Sequence, residues 1–430
     1  ENINYSNNSS FNNYISRLSF FKKTLDDAKV NIKNKRFKIL NDDLFKNISL
    51  HLDRKYAFYE SKNISIDTLD YYNNIAIESL NSFEKWLNIE YTSDVVKTLT
   101  LDKFSKKLSF YYQEKNIFNE KEALQDIDKL YKKMFSISLP IFLLKNDEPV
   151  WISRNDTLDV IKFSLVEYSN KEIINHLDYI EENIPKLKKD IENNHVVNIN
   201  NFRNFNIKLL NNYNHDYELL STDLPGDFNT NKYLHLNINH FSNDFDIDKI
   251  DYFQNKFSKI NIDLELIEKV LLGEYYLSLV DTKKSMIDKT FKKEMFIKGW
   301  GKYIQETFVS NIYDYGKEYR LFQYHELIKS IINYIVDYKL NIGLIDKQEA
   351  IDFMVKNGFY PKYEAERVIS YILSEPGISS LEYLGYKQIK NIEKEYKKKQ
   401  GSRFNLKKFN TMLILSSNMN FENIKEKILN

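Results

Sequence analysis

The sequence predicts a predominantly α-helical fold with one minor β hairpin, and three observations carry that reading. Only 10 Gly and 6 Pro punctuate 430 residues, which leaves room for long uninterrupted elements. Between these breaks apolar residues recur at i, i+3, i+4 and i+7, the spacing that gathers them on one face of a helix. A single stretch, "KYLHLNI" at residues 232–238, alternates with the period of two expected of a half-buried strand. With 42% hydrophobic residues, among them 31 Tyr and 29 Phe, the chain can fill a sizeable core.

Taken in order, residues 1–14, "ENINYSNNSSFNNY", are polar and rich in Asn and Ser, and read as a flexible tether after a processed start. "ISRLSFFKKTLDDAKVNI" then carries the helical period, with Asp26 and Asp27 on its solvated face. Residues 63–67 offer a helix start ahead of "TLDYYNNIAIESLNSFEKWL", and "ALQDIDKLYKKMF" follows with the same rhythm. Residues 15–220 therefore read as helical hairpins. Pro225-Gly226 marks a turn beside "KYLHLNI", which places a hairpin in residues 221–241. Helical rhythm resumes after Asp251, with breaks at Gly343, at residues 358–361, at Pro376-Gly377 and at Gly401. Residues 221–430 form the C-terminal region, expected to be continuous with the first in one structural unit.

Composition excludes several function classes. Lys+Arg 62 against Asp+Glu 61 leaves +1, without the basic excess that phosphate-driven nucleic-acid binding needs. Cys 0 removes disulfides, thiolate metal sites and cysteine nucleophiles. The longest apolar run, "FSISLPIFLL", is about half a membrane span. No GxSxG elbow, GxxxxGK[ST] or GxGxxG occurs. His235 and His240 lie five apart, hence on opposite strand faces, and the other histidines are scattered. The basic run at 394–403 falls at a helix end, where cations complement the dipole. Trp300 and Tyr303 recur at helical spacing with Phe296 and Ile304, as core residues do.

One stretch is anomalous. "LIEKVLLGEYYLSL", residues 266–279, reads as a buried helix, yet holds Gly273 in its middle at a cost of about 1 kcal/mol relative to alanine. The residues downstream give it a context: "KGWGKYIQE" at 298–306, "NYIVDYKLNIGLIDKQEAIDFM" at 333–354, "AERVISYILSEPGISSLEYLG" at 365–385 and "SRFNLKKFNTMLILSSN" at 402–418. Their order and spacing resemble the bacterial domain of unknown function 885 family, whose patterns run EGWALYAE, RLVVDTGLHxxGWSxEQA, RYxxxPGQAxSYKxG and FDLxxFHDxxLxxG. The resemblance extends over about residues 170–430, with "LPGDFNTNKYLHLNIN" similar to a PGxFYxN strand. It implies an α-helical zinc metallopeptidase scaffold, with an HExxPGHHLQ motif ahead of EGW.

At the positions that would carry this chemistry the match fails. With Gly273 as anchor, Glu268 and Glu274 stand where the family has two His ligands and Lys269 where it has the general base. A register shifted by one puts Glu268 at the base, with Ile267 and Gly273 at the histidines. Lys298 replaces a carboxylate ligand, while Gly299 and Trp300 are kept. Asn333 replaces an Arg and Asn341 a His, around a matching Asp337 and Leu340. Glu382 replaces a Tyr, with Gly385 matching, and Asn410 replaces a His between matching Leu406, Phe409 and Phe404. The resemblance thus implies a scaffold retained without its reaction. Zinc hydrolysis needs about three N or O ligands plus a base, and Lys269 and Lys298 would offset the charge of any carboxylate-only site. The expectations are an inactive metallopeptidase-like protein with no cofactor, serving as a binding or structural protein for a protein or peptide partner. It would be exported to the cell envelope, with an N-terminal lipid anchor. Its remnant cleft would be marked by Glu268, Lys269, Glu274, Lys298, Trp300, Asn333, Asn341, Glu382 and Asn410. The alternatives are a hydrolase built on Glu268, Glu274 and Glu382, or a cleft that binds peptide without cutting it.

Overall fold

The computed structural model describes residues 8–32, 48–49, 52, 66–90, 98–112, 118–145, 156–169, 176–194, 196–197, 206–209, 220–223, 235–238, 256–280, 293–311 and 316–430. It is predominantly helical, as the periodicity predicts. The chain divides into two compact units, one drawn from residues 1–97 and one from residues 98–210 and 216–430, where the sequence suggested one continuous unit with a boundary near 220. Apolar periodicity reports that a helix has a buried face, but not which neighbour covers it.

In the first unit α1 (Asn8–Asn31) packs against α2 (Ile66–Glu90). Tyr14 and Leu18 meet Leu69 and Ala76, with Phe11, Ile15 and Phe21 half-buried beside them. Further along, Phe83 and Leu87 pack on Leu25, Ala28 and Trp86. The 1–14 tether is therefore corrected over residues 8–14, which form the first turns of α1, while residues 1–7 lie outside the described residues. The polar composition concealed Phe11 and Tyr14, which begin the apolar stripe that α2 covers.

The second unit begins with α3 (Leu101–Tyr112), α4 (Glu120–Lys145), α5 (Thr157–Ser169) and α6 (His176–Asn193). Three short strands follow, β1 (Asn206–Leu209), β2 (Leu220–Asp223) and β3 (His235–Ile238), in the order β1-β3-β2. β2 and β3 pair antiparallel, as a hairpin does, with Leu220 opposite Ile238. β1 adds a parallel partner on the other side, Asn206 opposite His235, so the sheet has one strand more than the sequence suggested. The Pro225-Gly226 turn lies outside the described residues.

Then come α7 (Lys259–Glu265), a π-helical segment (Leu266–Leu271), α8 (Glu274–Val280), α9 (Glu294–Asn311) and α10 (Lys317–Asn341). The chain ends with α11 (Lys347–Gly358), α12 (Lys362–Ser374), α13 (Leu381–Gln400), α14 (Leu406–Ile414) and α15 (Phe421–Leu429). The ends fall at the breaks read from the sequence. α11 opens on a capping box in which Asp346 and Glu349 exchange backbone bonds, and α13 stops at Gly401 after a last turn of three lysines.

The core of this unit is centred on α9 and α10. Phe296, Trp300, Tyr303, Ile304 and Phe308 of α9 are buried, as are Ile328, Ile331, Ile332, Ile335 and Val336 of α10. Each such side chain contributes about 1.5–3 kcal/mol. α9 crosses α13 at a glycine pair: a methyl group at Gly299 would lie 2.2 Å from the carbonyl carbon of Gly385, and one at Gly385 would lie 2.1 Å from the Met295 carbonyl oxygen. The two backbones touch, so both glycines are fixed by the crossing itself.

Candidate functional site

The anomalous stretch 266–279 is two helical pieces, which corrects its reading as one buried helix. α7 starts at Ser258, whose hydroxyl accepts from the Asn261 N–H, and runs directly into the π-helical segment. There the Leu272 N–H donates to the Ile267 carbonyl at 3.1 Å, an i to i+5 bond that widens the turn. The chain bends at residues 272–273 and restarts as α8. A methyl group at Gly273 would lie 1.4 Å from the Glu268 carbonyl oxygen, so the bend requires glycine. Trp300 fixes it from α9: the fully buried indole N–H donates to the Leu272 carbonyl at 2.7 Å. The glycine and the tryptophan are two parts of one structural device.

The π turn presents Glu268 to α9, where it meets an ammonium. Lys302 Nζ lies 3.0 Å from Glu268 Oε1 and 3.7 Å from Glu326 Oε2, with 8% of the lysine side chain exposed. Gln305 Nε2 donates to Glu268 Oε2 at 2.9 Å. Burial alone would lower the Lys302 pKa, but Glu268, Glu382 and Glu326 overcome it and hold the ammonium firmly protonated. Burial raises the Glu268 pKa against the pull of Lys302, and Glu382 adds to the rise. Three carboxylates thus share one fixed cation. The charge on Glu268 is met by Lys302, a residue the sequence reading passed over. Lys269 turns away, donating to the Leu220 carbonyl at 3.1 Å and lying 3.6 Å from Glu265, so that it ties β2 to the π turn.

From Glu326 the network continues along α10. Lys329 Nζ is 3.5 Å from Glu326 and within 3.1 Å of both Glu364 oxygens, and it sits 4.8 Å over the Tyr360 ring. Lys256 pairs with Glu265 at 2.9 Å. Burial would raise Glu326, yet Lys329, Lys256 and Lys302 pull it well below the usual carboxylate range. Beside this row opens a cavity of about 340 Å³, with Leu165, Val166, Phe322 and Val355 on its walls and Lys329, Glu326 and Glu364 at its charged side. His325 also lines it; burial first, then Lys329, depress its pKa to about 3, and its Nε2 lies 2.8 Å from the Gly358 carbonyl oxygen. At neutral pH this imidazole is uncharged.

The remaining positions marked from the sequence are distributed over several places. Glu274 is exposed at the start of α8, and Lys298 is half-buried on α9. Asn333 accepts from the Tyr360 hydroxyl at 2.8 Å, near the cavity. Asn341 is fully buried and donates to the Asp337 backbone and side chain at 2.9 Å and to the Ile372 carbonyl at 3.2 Å. Asp337 also accepts from the N–H groups of Gly377 and Ser380 and from the Ser380 hydroxyl, so it organises the turn between α12 and α13. Burial raises its pKa to about 6. Asn410 donates to the Val196 carbonyl at 2.9 Å and accepts from Tyr303 at 3.0 Å. Glu268 and Glu382 are the two marked carboxylates brought into one electrostatic group, and Asn341 and Asn410 each take part in more than one internal hydrogen bond.

Of the histidines, His235 lies in β3 and the His176 ring packs on Phe257 at 4.3 Å. His51, His195, His215 and His240 lie outside the described residues. Among the described residues no three His, Asp or Glu side chains gather as a metal set. Lys302, Glu326, Lys329, Glu364 and Tyr360 are the site residues that sequence reasoning missed. One signal was present: in "KGWGKYIQE" Lys302 and Gln305 stand where EGWALYAE has Leu and Glu. The others are paired across α10 and α12, a tertiary fact.

Residues 277–419 match the family described as "Bacterial protein of unknown function (DUF885)". The match begins just beyond Gly273 and includes the Gly299–Gly385 crossing, Lys302 and Asp337. No curated protein matches the chain. Two solved structures share its fold. One is a provisionally assigned lipoprotein of unknown function from Shewanella oneidensis, with a TM-score of 0.74 at 17% identity over 100% of this chain and 80% of that one. The other is a provisionally assigned lipoprotein from Colwellia psychrerythraea, with a TM-score of 0.74 at 11% identity over 98% and 76% of the two chains. Among the described residues no helix is long and apolar enough to cross a membrane.

Proposed function

We propose that this chain is a catalytically inactive relative of α-helical zinc metallopeptidases, retained as a binding or structural protein at the cell envelope. The observation that carries the reading is Lys302. Its ammonium is 3.0 Å from Glu268 and 3.7 Å from Glu326, so a dication bound by those carboxylates would have to displace a buried, paired cation. The asparagines that the resemblance aligns with the family's histidines support the same reading, because Asn341 and Asn410 are fully buried and engaged in internal hydrogen bonds. Gly273, Gly299, Gly385 and Trp300, which match the family's pattern in the sequence, each shape the backbone here, and this supports a scaffold that outlasted its reaction.

The envelope address rests on the lipoprotein descriptions of the two structural neighbours. A protein or peptide partner fits a helical scaffold with an accessible cavity. The second reading, a hydrolase that uses Glu268 and Glu382 as acid and base, is favoured by the raised pKa of Glu268 alone. It needs Glu268 free to reach a substrate, whereas Lys302 and Gln305 hold both of its oxygens. The test is digestion of a peptide library by the purified chain, with and without added zinc, read by mass spectrometry. No cleavage is expected in either condition; cleavage abolished by a chelator would restore the peptidase reading, and chelator-resistant cleavage lost in Glu268→Gln would favour the carboxylate pair.

A further inference from the structure

The cavity between α5, α10 and the α11–α12 turn has a charge pattern that the Lys302 centre does not explain. Part of its wall is apolar: Leu165 and Val166 from α5, Phe322 from α10, Val355 and Phe359 from α11 and its end. Four lysines and two glutamates also line it. Both glutamates are engaged, since Glu364 binds Lys329 through both oxygens at 3.0 and 3.1 Å and Glu326 divides itself between Lys329 and Lys302. Lys256 is neutralised by Glu265 at 2.9 Å. Lys162 and Lys362 remain, exposed at the rim on α5 and α12, and neither has an ion-pair partner among the described residues. The cavity therefore joins an apolar wall to a charged side, and its uncompensated charge is positive and sits at its mouth.

Phe359 adds an independent sign that this wall is built for contact. It holds φ at +54°, a left-handed backbone that bulky residues rarely adopt and that glycine would take without strain. Gly358 stands beside it, yet the chain places the left-handed turn on the phenylalanine, whose ring lines the cavity and meets His325 edge-on at 5.9 Å. Strain held at a cavity wall points toward ligand contact.

We infer that this cavity binds a small carboxylate with an apolar body, the body against Val166, Phe322 and Phe359 and the carboxylate at Lys162 and Lys362. A medium-chain fatty acid and the carboxyl end of an apolar peptide share that chemistry. A volume of about 340 Å³ lies within the range of small-ligand pockets. This proposal does not depend on whether the Lys302 centre is inactive, because binding is read without turnover.

Isothermal titration of the full chain with octanoate, N-acetyl-leucyl-leucine and octylamine tests it. Saturable binding of octanoate or of the capped dipeptide is expected, and the tighter of the two identifies the source. Octylamine should bind at least about tenfold more weakly. The double variant Lys162→Gln/Lys362→Gln, whose exposed positions leave the fold intact, should weaken carboxylate binding by about fivefold or more. Val166→Glu, at a wall position 44% exposed, should abolish it while thermal unfolding is unchanged. Absence of saturable binding by both carboxylates, equal binding of octylamine, or full affinity in the double variant would overturn the inference.

Discussion

Replacing Lys302 with leucine would restore the residue that EGWALYAE has at this position, yet in this chain it should be strongly destabilising. Glu268 would lose its ammonium partner while Glu326 keeps Lys329, and breaking a buried ion pair from one side costs about 3–5 kcal/mol. Urea denaturation at pH 7 should show that loss, and it should shrink as pH falls, because the raised pKa of Glu268 lets it take a proton before an ordinary glutamate does. A loss under about 1 kcal/mol would mean that the carboxylates have another counter-charge. Gly273→Ala should cost about 3 kcal/mol or more, since its methyl group would meet the Glu268 carbonyl oxygen at 1.4 Å. Had the stretch been a plain helix, the same change would stabilise by up to about 1 kcal/mol. An interior glycine in a sequence is a question that only the neighbouring backbone answers: the residue was legible, the bend was not.

At the scale of elements, helix positions were readable because each needs a buried stripe and a chemically distinct end. The Asp346 capping box, the Gly401 stop and the Pro376-Gly377 break all fell where turn chemistry puts them. The strands were harder. All three strands are four residues each, too short for alternation to stand out, and β3 was visible because it lies within the longer alternating run "KYLHLNI". What joins elements was not legible, because it depends on partners far apart in sequence. Asp337 illustrates this: it takes N–H groups of Gly377 and Ser380, forty and more residues on, to hold α12 to α13. Asp337→Ala leaves those donors buried without an acceptor, at about 1–3 kcal/mol each. Amide hydrogen exchange should show residues 375–381 losing protection before the rest of the second unit does; uniform protection would remove this role from Asp337.

Across the whole molecule, buried carboxylates of two kinds set the dependence of stability on pH. Asp263, held by Tyr179, Tyr319 and Asn183, and Asp337 both have folded pKa values raised to about 6 by burial. Their contribution is fully present below the ordinary aspartate value and is lost as pH rises through about 6, at about 3 kcal/mol each. Glu265, Glu326 and Glu393 are lowered because, against the burial that would raise them, lysines prevail; their contribution is present above the ordinary glutamate value and is lost as pH falls below it. Stability measured by urea denaturation should therefore peak between the ordinary aspartate and glutamate values, at about pH 4–4.5, and decline on both sides, and Asp337→Asn should remove about half of the decline from there to pH 7. The central claim is that a lysine ammonium holds the place among the carboxylates where a metallopeptidase would hold its ion. Metal analysis of the purified chain, incubated with zinc and then dialysed, tests it most directly. No stoichiometric zinc should remain with the protein; zinc retained at one ion per chain, and lost in Glu268→Gln, would contradict the account.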